Sequence, residues 1–310
     1  IDITASSELV MGTLFLFQTG IGLLGNVSLL CFYVLTSFTK HTQRPVDLIL
    51  THLALANSLF LLCRGIPQIL DAFAFKYFMG EVECKVNFYT QRVARGVSLC
   101  STCFLSGFQA SMLSLGNSRW AELKRKAPKF IPSCCSLCWV LHLLIHSAVP
   151  VKITHSGHTA NITKINLGLC SGKGIDSFTL SFHAFLFSFT DILFLGLMIW
   201  ASGSIVIFLQ RHKQRVQYIH RTSLSPRASL ETTATHTVLL LVSLFVSFYS
   251  VSSAFFIYLT CCVTSSLRLW NINVFLAACF PVFSPFVLIT RDIQLFRTYF
   301  VSGGKMKTFK

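Results

Sequence analysis

Four groups of side chains have the type and spacing that chemistry requires, and each sits in an apolar stretch. Cys100 and Cys103 stand three apart, the spacing of half a thiolate metal site. His142 and His146 stand four apart, so on a helix their imidazoles would share one face. Arg92 and Arg95 would also share a face, and Asp191 lies in the middle of an apolar run. Neither the cysteine pair nor the histidine pair has a second ligand pair or an acidic neighbour beside it. Packing is therefore their expected role, with no metal and no cofactor. No paired carboxylates, nucleophile elbow or zinc signature accompanies them, so the chain is not expected to be an enzyme.

Composition says what must position these residues. Only 12% of the 310 residues are charged against 53% hydrophobic, the mean hydropathy is +0.64, and 30 residues are Phe. A soluble domain carries about 25% charged residues, so water cannot be the main solvent here. Apolar runs of about 20 residues are long enough to cross a bilayer as helices. They fall at approximately 9–35, 48–70, 87–115, 130–151, 178–209, 237–260 and 269–290. Barrel strands would alternate over about ten residues, and these runs do not. The expectation is an all-α membrane protein, one seven-helix domain over 1–310 with a short cytoplasmic tail at 291–310. The first run follows Asp2 and Glu8 and exceeds the length of a cleaved signal peptide. Ile1 in the place of a Met leaves room for residues upstream.

Charge orients the bundle. The formal net charge is +15, and most of the 26 Lys and Arg lie in four segments on one side. These hold Lys40 and Arg44, Arg119 to Lys129, Arg211 to Arg227, and Arg291 to Lys310. Basic loops face the cytoplasm, which puts the amino terminus outside at the plasma membrane and the carboxyl terminus inside. Nucleic acid is not an expected partner, because the charge is divided among four connections. Asn161-Ile162-Thr163 is a glycosylation acceptor that this topology places outside. Cys84 and Cys170 face the same oxidising side, where disulfides persist.

The order of short blocks then resembles a known family. Arg44-Pro45-Val46-Asp47-Leu48 followed by His52-Leu53-Ala54-Leu55-Ala56-Asn57 is similar to the first inner loop and second helix of vomeronasal type-1 receptors, a G-protein-coupled family. Arg92-Val93-Ala94-Arg95-Gly96, Asn117-Ser118-Arg119-Trp120 and Leu197-Met198-Ile199-Trp200 continue the resemblance. So do His212-Lys213-Gln214-Arg215-Val216-Gln217-Tyr218, Leu224-Ser225-Pro226-Arg227, Ala278-Cys279-Phe280-Pro281 and Ser284-Pro285-Phe286. The usual receptor switches are missing, as they are in that family. Gly107-Phe108-Gln109 stands in place of an acidic-Arg-Tyr triplet, Asn57 in place of an Asp, and the seventh run lacks Asn-Pro-x-x-Tyr. Two positions depart from the family pattern: Leu115-Gly116 lacks a proline, and Thr190-Asp191 replaces Pro-Asp. These departures bear on signalling more than on fold.

The resemblance implies a chemosensory receptor for small pheromone-like odorants that couples to a heterotrimeric G protein of the inhibitory class. It also implies a Cys84–Cys170 disulfide. Arg92 and Arg95 then have two readings: contact with an anionic or polar ligand, or pairing with neighbours and snorkelling. Asn26, Asn57 and Asp191 read as structural polar groups, the asparagines bridging helices. Arg119, Lys213, Arg215 and Arg227 read as the G-protein face, with anionic lipid as a second basic-loop partner. The alternatives are another seven-helix chemoreceptor, such as a bitter taste receptor, and a transporter, though no internal repeat supports the latter. An antibody to an amino-terminal tag is expected to label intact cells. Labelling only after permeabilisation, with Asn161 unglycosylated, would reverse the assigned topology.

Overall fold

A computed structural model describes residues 2–39, 45–73, 80–113, 118–147, 150, 153–155, 170–172, 177–219, 226–261 and 267–306. Among them are seven long helices: α1 (Asp2–Thr39), α2 (Pro45–Ala72), α3 (Glu81–Leu113), α4 (Ser118–Ile145), α5 (Ser177–Ile219), α6 (Pro226–Cys261) and α7 (Leu267–Met306). Two short antiparallel strands, β1 (Ile153–His155) and β2 (Cys170–Gly172), lie between α4 and α5, with His155 opposite Cys170. In an apolar solvent a helix satisfies its own backbone, which is why the runs fold this way. Among the described residues, five helical stretches are apolar and long enough to span a bilayer: Leu9–Phe38, Pro45–Ala72, Phe189–Phe208, His236–Phe255 and Asn271–Thr290. The apolar part of α4, Lys129–Ile145, is shorter, and α3 is diluted by Arg92, Arg95 and the acidic Glu81 and Glu83.

Helical structure extends beyond the apolar runs at both kinds of end: α1, α4 and α6 begin at Asp2, Ser118 and Pro226, well before their runs, and two helices continue past theirs. The basic segment from Arg211 to Ile219, expected as part of a connection, extends α5, and residues 291–306 extend α7. Helix costs nothing in backbone hydrogen bonding beyond the bilayer, so the chain has no reason to stop at its edge. Thr190 leaves α5 without an internal proline, and the helix runs unbroken for 43 residues.

The helices close a ring in which α1 packs on α2 and α7, α6 on α7, and α5 on α6. Helix α3 occupies the middle, touching α2, α4, α5 and α6, and β1 lies against it. The core therefore gathers around α3. Leu29, Leu53, Leu99, Ile131, Met198, Phe245 and Phe280 belong to its main cluster, which draws on all seven helices. The outward faces are apolar instead of polar. Phe17, Leu24, Phe38, Leu144 and Trp200 each leave more than 60% of their surface exposed. Water would oppose such a surface by about 25 cal/mol per Å², whereas lipid tails would not. Where α1 meets α2 the backbones approach closely, and a Cβ at Gly65 would overlap Thr19.

Polar side chains stitch the ring from inside. Proline at 285 brings no N–H, so the carbonyl of Pro281 one turn earlier loses its intrahelical donor. Asn26 of α1 fills that gap, donating from Nδ2 to the Pro281 oxygen at 2.8 Å. Asn57 of α2 donates to Ser284 Oγ of α7 at 3.0 Å and accepts from Ser98 Oγ of α3 at 2.8 Å. Further links are Ser252 to Asn273, Trp139 Nε1 to His52, and Tyr89 to the Leu143 carbonyl. Asn57 is 1% exposed, so its amide has little recourse to water. Replacing Asn57 with Ala is expected to destabilise the bundle by about 1–3 kcal/mol, since cross-helix bonds in membranes contribute roughly 0.6–1.7 each. Thermal unfolding of purified protein checks this. Double-mutant cycles with Ser98→Ala and Ser284→Ala should show coupling, and strict additivity would deny the network.

Candidate functional site

The centre of α3 brings its two arginines to a junction of helices. At 1.5 Å per residue, Arg92 and Arg95 lie about 12 and 17 Å along the helix from Cys84. Arg95 meets two other helices at once. Its Nε donates to the Tyr249 hydroxyl of α6 at 2.7 Å, and its guanidinium carbon lies 4.1 Å from the centre of the same ring. Its Nη2 stands 3.8 Å from Asp191 Oδ2 of α5, with both side chains about one-quarter to one-third exposed. That separation is long for an ion pair, while the Tyr249 contacts are tight. Arg95 is thus held firmly by α6 and loosely by α5.

Other charges extend the site toward the Cys84 end. Arg92, one turn away on the same face, is within electrostatic reach of Arg95, Asp191 and Tyr249. Arg64 of α2 is within reach of both arginines and, with the Gln91 amide turned so that its oxygen faces Arg64, donates to that oxygen from Nη1 at 2.9 Å and Nε at 3.2 Å. Three guanidiniums and one carboxylate therefore act on one another inside the bundle. The local potential is positive, and it is strengthened by the apolar walls around it.

A cleft opens beside Arg95. It is lined by Asn57, Ser98, Phe245, Phe248, Tyr249 and Ser252, with Phe60 and Phe280 among the remaining walls. Its free volume is small, about 30 Å³, room for a water molecule or two. Aromatic walls around one cation and a few hydroxyls suit a small, mostly apolar molecule with one polar end. Such a molecule would fit only if the lining side chains moved apart.

The residues singled out in the sequence distribute as follows. Arg92, Arg95 and Asp191 come together. Asn26 and Asn57 lie in the helix-bridging network, and Asn57 also reaches the cleft. Cys84 is buried and disulfide-bonded. Cys170 is placed by its backbone in β2, but its side chain lies outside the described ones. Asn161 lies outside the described residues, as do the side chains of Arg119, Lys213, Arg215 and Arg227. Tyr249, Arg64 and Gln91 join the site without having been singled out in the sequence. A tyrosine midway along the apolar sixth run and a third arginine in the second run were the available signals.

The vomeronasal organ pheromone receptor family matches this chain over residues 9–301. Vomeronasal type-1 receptor 1 of Gorilla gorilla gorilla is 46% identical over 309 residues, covering 99% of this chain and 87% of its own length. Human vomeronasal type-1 receptor 4 is 43% identical, covering 95% of this chain and 98% of itself. Olfactory receptor class A-like protein 1 of Danio rerio is 31% identical across 92% of this chain and 90% of its own length. Among solved structures, squid rhodopsin superposes with a TM-score of 0.70 at 18% identity, over 91% of this chain and 77% of that one. The shared fold is therefore that of a seven-helix receptor, and the family is one of receptors and not of enzymes. The bitter-taste and transporter alternatives fall away. On the match over nearly its whole length, the chain belongs to the vomeronasal organ pheromone receptor family, the vomeronasal type-1 receptors.

Proposed function

We propose that this chemosensory receptor binds a small odorant with an anionic or strongly hydrogen-bonding end at the Arg95 junction. The observation that carries this reading is the arrangement around Arg95. One guanidinium links α3 to α6 tightly and to α5 across 3.8 Å, beside an aromatic cleft. A carboxylate can take two parallel hydrogen bonds from a guanidinium, so an acidic odorant would compete with Asp191 for the Arg95 fork. Its apolar body would lie against Phe245, Phe248 and Phe280. Occupation would loosen α5 from α3 and shift the population toward a state in which the two helices sit differently. Arg92 adds positive potential along the entry route.

The remaining assignments follow from the same reading. The amino terminus lies outside, and residues 1–310 act as one receptor domain in the plasma membrane with 291–310 as its cytoplasmic end. Cys84 pairs with Cys170, because β1 lies against α3 and faces β2 at His155 and Cys170. This pairing would hold the strands over the mouth of the bundle, with Asn161 glycosylated between them. At the opposite end, Arg119, Lys213, Arg215 and Arg227 meet a heterotrimeric G protein of the inhibitory class, and anionic lipid steadies the same basic segments. The family's description as one of pheromone receptors makes a pheromone or odorant the expected ligand class.

Nucleotide exchange on an inhibitory G protein, stimulated by a panel of small carboxylic acids and their methyl esters, tests this. Acids are expected to activate and the esters to be weaker. Arg95→Gln should raise the half-maximal concentration about tenfold or more, a loss of about 1.4 kcal/mol, at unchanged surface expression. Arg95→Lys should recover only part of the response, since an ammonium lacks the planar fork. Equal potency of wild type and Arg95→Gln would remove the ligand from this site.

A further inference from the structure

Folding brings together three donors that the sequence keeps apart. The sulfur atoms of Cys100 and Cys138 and a ring nitrogen of His142 all lie within 4.8 Å of one another. Cys138 and His142 are four apart on α4 and so share a face, while Cys100 arrives from α3. The two pairs suggested by sequence spacing, Cys100 with Cys103 and His142 with His146, are therefore not the chemically relevant set. The cluster consists of half of each pair together with a further cysteine, Cys138, from α4.

His142 is the second observation. It is 2% exposed, and neither Nδ1 nor Nε2 has a hydrogen-bond partner among the described residues. Buried polar atoms are nearly always partnered, so an imidazole left with both nitrogens unanswered asks for a ligand. Space has been made for it as well. Gly96, one turn before Cys100 on α3, lies where any Cβ would overlap the His142 ring.

We propose that Cys100, Cys138 and His142 bind a zinc ion that clips α3 to α4. Charge selects the metal. Zn²⁺ with two thiolates and a neutral imidazole sums to zero, whereas Cu⁺ with the same donors leaves one negative charge in an apolar interior. Zinc bonds of about 2.3 Å to sulfur and 2.0 Å to nitrogen need donor separations of roughly 3.5–3.8 Å. Side-chain rotation of about 1 Å closes the present arrangement to that. Binding releases two thiol protons to water. The fourth position is left to a water molecule, and Cys100, only partly buried, keeps the cluster from being sealed.

The test uses the whole receptor, purified in lipid nanodiscs, stripped with a chelator and titrated with Co²⁺. One equivalent should bind with thiolate-to-cobalt charge-transfer absorption, be displaced by Zn²⁺, and release two protons. Cys138→Ala or His142→Phe should weaken binding by at least roughly 100-fold, the upper end of what losing a mere outer-shell partner costs. Cys134→Ser, an exposed neighbour on α4, should leave binding intact. Should the variants misfold, alkylation mapping of the wild-type protein decides the matter. Zinc should protect Cys100 and Cys138 while Cys31 and Cys134 stay reactive. Cobalt binding without the charge-transfer band, or equal alkylation with and without zinc, would overturn the site.

Discussion

A guanidinium inside an apolar bundle must be answered by groups that arrive from other helices, and Arg95 is where this constraint acts. The cost of an unpaired charge in such a medium far exceeds any single packing contact. Tyr249 from α6 supplies a hydroxyl and a π face, and Asp191 from α5 supplies the carboxylate. These contacts require α3 to stand at the middle of the ring, where its neighbours can reach it. They also leave the site adjustable, because the carboxylate sits farther away than the hydroxyl. An assembly held by one tight and one loose contact can be biased by a competing anion, which is what a receptor for small molecules needs.

The rest of the interior follows a related rule, that polar groups withdrawn from water must find each other. Proline in α7 removes an amide donor, and the orphaned Pro281 carbonyl fixes where Asn26 of α1 must sit. Asn57 reads both α3 and α7 through one amide. These bonds set the register of helices whose outward faces, crowded with leucine and phenylalanine, offer no register of their own. Lipid solvates any rotation of such a face equally well, so specificity has to come from within. Among the described residues the imidazole of His142 and the hydroxyl of Ser202 stand outside this rule, and a metal shared with Cys100 and Cys138 would answer the imidazole.

Much of this was legible in the sequence. Runs of apolar residues are read directly as helices, since a bilayer leaves the backbone no other economical choice. Arg92, Arg95 and Asp191 declared themselves by charge in apolar surroundings, and the ordered blocks from Arg44 to Pro285 pointed to the family. Tyr249 stayed hidden because a tyrosine in an apolar helix looks like packing until its hydroxyl is seen to meet a charge. The pairing of Cys100 with Cys138 stayed hidden for a different reason. Spacing reveals only ligands on one helix, and the nearer decoys Cys103 and His146 occupy the expected intervals.

What the sequence alone determined was the solvent, the helices and the sites of charge, because each depends on local composition and on the periodicity of a single segment. What only the tertiary structure decided was which charge meets which partner. The Arg95–Tyr249 bond, the 3.8 Å gap to Asp191 and the meeting of Cys100 with Cys138 and His142 each join residues dozens of positions or more apart. Their distances depend on how the helices are rotated and how deeply they are set. Those rotations are fixed jointly by the polar bonds between several helices, a property that no single segment of the sequence contains.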